Sequence, residues 1–170
     1  MSKKKYKNNN IQLSYEDQLL GTAGTLFHHI DEIYDDDLIL IHADNFCLDN
    51  LYQFLHNHKY RPDECKMSML IFRTNKPKES GIVKVDKRMI LTEFNEKPYN
   101  PKSDLANGAI YCLSKEMLNE IRAFKNDHIS DFSTEIIPKY INRILTYKTN
   151  EYFIDIGNIE SYNSVNNLQF

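Results

Sequence analysis

Short apolar runs alternate with stretches of helical period along most of the chain. "LILI", inside Asp37–Ala43, is a near-continuous apolar run bounded by acids, the pattern of a strand buried on both faces. Ile11–Tyr15 and "KMSMLIFRT" read as further strands. "GIVKVD" and "MILTEF" read as two short strands joined by a turn at Asp86 and Lys87, with "ANGAIYCLS" and "EYFIDIG" as later ones. The intervening segments "AGTLFHHIDEIY", "LDNLYQFLHNHKY", "KEMLNEIRAF" and "NIESYNSVNNL" have helical period, with Asp49, Ser114 and Asn158 as caps for the last three. "STEIIPKYINRI" is helical in period but interrupted by Pro138. The alternation predicts an α/β domain with a largely parallel sheet.

With 170 residues, 41% hydrophobic and 26% charged, the chain suits one folded domain. Residues 1–10, with four lysines and no acid, are expected to be a disordered basic terminus, and 11–170 the domain itself. A net charge of −3 argues against nucleic acid as a partner. No apolar run is long enough for a membrane span, and no apolar segment follows the lysines as a signal peptide requires. Cys47, Cys65 and Cys112 lack CxxC spacing, so they read as reduced thiols of a cytoplasmic protein, not as zinc ligands. His56 and His58 lie two apart on a helical segment and do not share a face, which makes "HNH" solvent-facing surface. Asp35–Asp37 reads as a solvated loop.

Candidate chemistry gathers at strand ends, where open α/β sheets bind ligands. Asp44 follows "LILIHA" and Asp155 closes "YFID" just before Gly157. Two such carboxylates suit Mg²⁺; equally, each could cap the following turn. Glu96 and Lys97 stand side by side after a strand, either as a hydroxyl- and phosphate-binding pair or as a solvated turn. Asn107 and Gly108 mark either a hairpin turn or a close backbone approach. The chain has five glycines, two of them in "LLGTAGTL", which is open to reading as a phosphate cradle, a packed helix start or something more specific.

In order, "LGTAGT", "IHADN", "GIVKVD", "EFNEKP", "ANGAIY" and "YFIDIGNIESY" resemble the sugar-1-phosphate nucleotidylyltransferases, and all five glycines fall inside the set. "HADN" and "DFSTEIIP" are similar to mannose- or heptose-1-phosphate guanylyltransferases of surface-polysaccharide pathways. The resemblance implies a Rossmann-like, GT-A-like three-layer α/β/α fold with a mixed, mostly parallel sheet. It implies transfer of a nucleotidyl group from a nucleoside triphosphate to a sugar-1-phosphate, with release of pyrophosphate. Asp44 and Asp155 would hold Mg²⁺, and Lys97 would offset phosphate charge. Glu96, Asn107 and the Gly81 backbone would take the sugar, and Gly21, Thr22, Ala23 and Gly24 the nucleoside. The family's GGxGTRLxPxT loop has no counterpart in the chain, so an N-terminally truncated domain is expected, partnered by a complementing chain or a second copy. That loss would leave "DLILIHA" with an unpaired edge and Ile11–Tyr15 weakly held. Two alternatives are a non-catalytic subunit that binds nucleotide sugar and modulates a complete paralogue, and a glycosyltransferase with a related fold.

Overall fold

The computed structural model describes residues 11, 13–33, 36–125 and 128–168. Its spine is strand β6 (Leu105–Leu113), which has neighbours on both sides. One side carries β3 (Met67–Arg73), then β7 (Ile144–Lys148) parallel to it. The other side is shared: β1 (Leu38–Ile41) pairs with Ile110–Leu113 of β6, and β4 (Gly81–Val85) with Ala106. β5 (Leu91–Glu96) completes a hairpin with β4. Helix α1 (Gly21–His29), helix α3 (Lys115–Arg122) and the Phe132–Tyr140 segment cover one face, burying Leu26, Phe27, Leu118, Ile121 and Tyr140 against Met67, Met69 and Tyr111. Helix α2 (Leu51–Lys59) covers the other face with Phe54 on Leu70, Ile110 and Cys112. Helix α4 (Ile159–Asn166) follows a small ribbon of β2 (Asn45–Cys47) and β8 (Phe153–Asp155).

The three-layer α/β class is as expected, and the sheet is mixed. Its parallel share is smaller than the pattern suggested: β3–β7 is the parallel pair, while β1–β6, β3–β6, β4–β5 and β4–β6 are antiparallel. Connections such as the Asp86–Met89 turn, where Asp86 accepts from the amides of Arg88 and Ile90, reverse the chain without a crossover helix.

Several local expectations are corrected. β1 is not buried on both faces, since Ile39 and Ile41 are 40% and 45% exposed; its second edge, as the missing loop implied, pairs with no strand among the described residues. The described residues of Ile11–Tyr15 form no strand, and Ile11, Leu13 and Tyr15 are exposed. The cap of α2 is Asn50, which accepts from the Tyr52 amide, not Asp49; Ser114 and Asn158 cap α3 and α4 as expected. "STEIIPKYINRI" forms a π-helical turn (Phe132–Ile136) and a 3₁₀ turn (Ile137–Tyr140), because Pro138 supplies no amide to continue an α-helix. Its end then extends into β7. The reading of residues 1–10 lies outside the described residues.

His58 is also corrected. It is 2% exposed, with Nδ1 2.8 Å from Ser68 Oγ and Nε2 3.3 Å from Asp37 Oδ2. Asp37 in turn accepts from the Lys115 amide at the start of α3 through Oδ1. What read as a surface histidine is a buried part of a polar joint between α2, β3 and α3, while Asp36 and Asp37 are exposed, as a solvated loop requires.

Candidate active site

Asp44 and Asp155 are brought together by the β2–β8 ribbon. Asn45 stands opposite Asp155 in the antiparallel register, so the carboxylate before β2 and the one ending β8 share one end. The Ile156 amide donates to the Asp44 carbonyl at 2.8 Å, and the Gly157 amide to Asp155 Oδ1 at 2.7 Å. A Cβ at residue 157 would lie 2.8 Å from Asp155 Oδ1 and 3.3 Å from Asp44 Oδ2. The two carboxylates therefore converge on the bare α-carbon of Gly157. Among the described residues no third histidine, cysteine or acid joins them in a metal-holding group. An all-oxygen pair fits Mg²⁺, which takes one or two protein carboxylates and completes its shell with phosphate and water.

A second cluster is built on the main sheet. Gly81 faces Glu96 across the β4–β5 hairpin, and the Glu96 carboxylate lies over it. Burial pushes the Glu96 carboxyl upward, with Lys97 opposing and Asp131 adding to the rise. Lys97 adopts φ 43° as the chain leaves β5, its amide held by the Ser80 carbonyl at 3.1 Å. Asn107 donates through Nδ2 to the Tyr111 hydroxyl at 2.7 Å and accepts from the Ala109 amide at 2.9 Å. The fully buried Tyr111 hydroxyl lies 3.5 Å from Ser133 Oγ, and burial raises it to about 12 against the small opposing effects of Ser133 and Asn107. It also feels the charges of Glu96 and Asp131. Gly81, Glu96 and Asn107 thus belong to one neighbourhood. Tyr111, Asp131 and Ser133 join it without having been singled out by the sequence. The missed signal was the spacing of Asn107 and Tyr111, four apart, which on a strand places both on one face; their partners across the ladder, Ile71 and Met69, share a face as well.

The glycine turn has a different environment. Gly21 has φ +79°, and any Cβ there would collide with the Ser130 carbonyl. That carbonyl accepts from the amides of Ala23 at 2.9 Å and Gly24 at 3.4 Å, while Thr22 Oγ1 accepts from the Phe132 amide at 2.8 Å. The first turn of α1 is therefore tied to the Ser130–Phe132 loop, and the amides of an anion-binding helix start are directed at protein. A groove of about 360 Å³ lined by Ile82, Lys84, Asn95, Pro98 and Lys102 holds none of the expected site residues. It lies on the hairpin face opposite Gly81 and Glu96, since side chains alternate along each strand.

The nucleotidyl transferase family model matches residues 1–169. The chain belongs to the nucleotidyl transferase family. A glucose-1-phosphate adenylyltransferase of Acetivibrio thermocellus is 31% identical over 151 residues, 84% of this chain and 35% of the relative. The enzyme of that name from Clostridium acetobutylicum is 29% identical over 150 residues, 83% of this chain and 40% of its own. This nucleotidyl transferase chain thus spans well under half the length of those relatives. Among solved structures, a candidate glucose-1-phosphate thymidylyltransferase from Bacillus anthracis, in complex with sucrose, matches with TM-score 0.74 at 19% identity. That match covers 91% of this chain and 65% of that one. HddC from Yersinia pseudotuberculosis matches with TM-score 0.70 at 23% identity, over 88% and 62%. These likenesses show that the nucleotidyl transferase fold is shared. Among the described residues, no helix is long and apolar enough to cross a membrane.

Proposed function

We propose that the chain serves nucleotidyl transfer from a nucleoside triphosphate to a sugar-1-phosphate, releasing pyrophosphate. The observation that carries this reading is the convergence of Asp44 and Asp155 on Gly157, in a chain of this family. A sugar-phosphate oxygen attacks the α-phosphorus, the bond to the bridging oxygen breaks, and pyrophosphate leaves with that electron pair. Mg²⁺, when bound by Asp44 and Asp155, supplies charge neutralisation at the phosphates. Lys97 offsets charge on the sugar phosphate, Glu96 accepts from sugar hydroxyls, and Asn107 with the Gly81 backbone fixes the sugar's orientation. Gly21, Thr22, Ala23 and Gly24 form a wall for the nucleoside and act through shape, because the amides of residues 23 and 24 already serve Ser130.

"HADN" and "DFSTEIIP" favour a guanylyl-type enzyme for a mannose or heptose phosphate in surface-polysaccharide supply, whereas the curated relatives are named for glucose-1-phosphate and adenylyl transfer. The free thiols of Cys47, Cys65 and Cys112 fit a cytoplasmic setting. The edge of β1 that is unpaired among the described residues, with Ile39 and Ile41 exposed, supports a complementing chain or a second copy as partner. The test crosses the four ribonucleoside triphosphates and dTTP with glucose-, mannose- and heptose-1-phosphate. It measures calorimetric binding and Mg²⁺-dependent pyrophosphate release, with and without an added N-terminal segment from a full-length relative. Asp44→Asn and Asp155→Asn are each expected to lower Mg²⁺-dependent binding or turnover at least 100-fold. Unaltered behaviour in both variants would remove the carboxylate pair from the reaction.

A further inference from the structure

The β6 bulge needs to be held. Asn107 faces Ile71 of β3 and Tyr111 faces Met69, so Gly108, Ala109 and Ile110 occupy the space opposite Leu70 alone. Ala109 sits at φ 49°, which a residue with a Cβ adopts at a cost and keeps only where its surroundings impose it. Two adjacent carbonyls, those of Gly108 and Ala109, are turned out of the β3–β6 ladder by this geometry. Both are met by one side chain 63 and 64 positions earlier: Asn45 Nδ2 donates to Gly108 O at 2.8 Å and to Ala109 O at 3.2 Å. The His42 amide also reaches Ala109 O, at 3.3 Å.

The identity of residue 45 matters for a chemical reason. A carboxamide nitrogen carries two hydrogens and can serve two acceptors, whereas the near-isosteric carboxylate carries none and would oppose both carbonyls. Its position matters as well. Asn45 is bonded directly to Asp44 and stands opposite Asp155 in the ribbon. One end of the bulge is Asn107, whose own Oδ1 holds the Ala109 amide. We infer that Asn45 is a positioning residue, whose carboxamide fixes the bulge bearing Asn107 against the ribbon bearing Asp44 and Asp155. It thereby sets the distance between the sugar-side and phosphate-side halves of the site. This inference rests on the reading under Proposed function for what the two halves bind, and on geometry alone for the clamp.

The test therefore has two arms. In the first, amide hydrogen exchange of Ala109 is followed in Asn45→Ala and Asn45→Ser, the serine variant retaining one donor should the alanine variant fold poorly. Exchange at Ala109 is expected to rise at least tenfold in Asn45→Ala, and unchanged exchange in both variants overturns the clamp. In the second, glucose-, mannose- and heptose-1-phosphate binding is measured by calorimetry in wild type, Asn45→Ala, Asn107→Ala and the double variant. Each single change is expected to weaken binding about tenfold, and the double change little further, because both remove one arrangement. Multiplying losses, or unchanged affinity in Asn45→Ala, overturns the positioning role. If wild type binds none of the three sugar phosphates, it is the functional reading that fails, and the exchange arm alone then decides the clamp.

Discussion

Protonation of His58 should limit the acid stability of this chain, and the size of the effect follows from its surroundings. Burial is the largest influence on its imidazole and Arg61 adds to it; Asp37 and Glu116 oppose, and the balance brings the group from 6.5 down to about 4. The neutral ring is well placed: Ser68 Oγ lies 2.8 Å from Nδ1 and the Asp37 carboxylate 3.3 Å from Nε2. Unfolded chains take up this proton near pH 6.5 and the folded chain only near pH 4, so this part of the stability is complete above the first value. It declines as pH falls through the second. A difference from 6.5 to about 4 corresponds to roughly 3 kcal/mol. For a chain of this size that is roughly 6–12 °C in Tm. Carboxylates held low by partners, such as Glu16 and Glu135, also lose stability in acid, so wild type alone would not isolate the histidine. The comparison is with His58→Gln, which retains a polar side chain but cannot titrate. Urea unfolding from pH 7.5 to 4 should show the wild-type advantage shrinking by up to about 1.4 kcal/mol per pH interval below 6.5. Curves that remain parallel across that range would refute the reasoning, as would an NMR titration placing His58 at its ordinary value.

Two glycines give sharper local tests. Gly157→Ala places a methyl group 2.8 Å from Asp155 Oδ1 and 3.3 Å from Asp44 Oδ2, so the carboxylates must part. Mn²⁺ affinity should fall at least tenfold while Tm moves by less than about 3 °C, because residue 157 is exposed and most exposed substitutions change stability little. Equal Mn²⁺ binding in the variant would dismiss the convergence as a metal site. Gly21→Ala combines φ +79° with a collision at the Ser130 carbonyl and should cost about 2–4 kcal/mol, read by denaturant unfolding. A loss below about 0.5 kcal/mol would show that the α1 start is not anchored as described.

Most strands were legible because their signal is local. β3, β4, β5 and β6 are apolar runs bounded by turn residues, and each formed where the pattern placed it. β7 was not legible because "NRILTYK" follows a segment of helical period and owes its state to pairing with β3, a tertiary effect. The two-sided burial expected of β1 failed because a run such as "LILI" reports apolar side chains but not whether a neighbour covers them, whereas its unpaired edge and exposed apolar surface followed from the missing loop. His58 was readable in principle, since the period that places Leu51, Phe54 and Leu55 inward places His58 with them. Attention to the "HNH" pair obscured that stripe. In the site, Asp44 and Asp155 could be singled out by their strand-end positions, and Gly81, Glu96 and Asn107 by motif. Tyr111 was within reach of the strand period from Asn107; Ser133 and Asn45 were not, because non-local contacts define their roles.

The carboxylate pair rides on a ribbon of two three-residue strands, apart from the six-stranded sheet. Asp44 and Asp155 stand 111 positions apart in the chain. A cation gripped by both would tie together two positions a long loop apart, an arrangement that the folded chain has already closed and the unfolded chain lacks. Such a ligand, present at a hundred times its dissociation constant, adds about 2.7 kcal/mol to folding. Metal supply would then bear not only on chemistry at this end of the sheet but also on what fraction of the chain is folded.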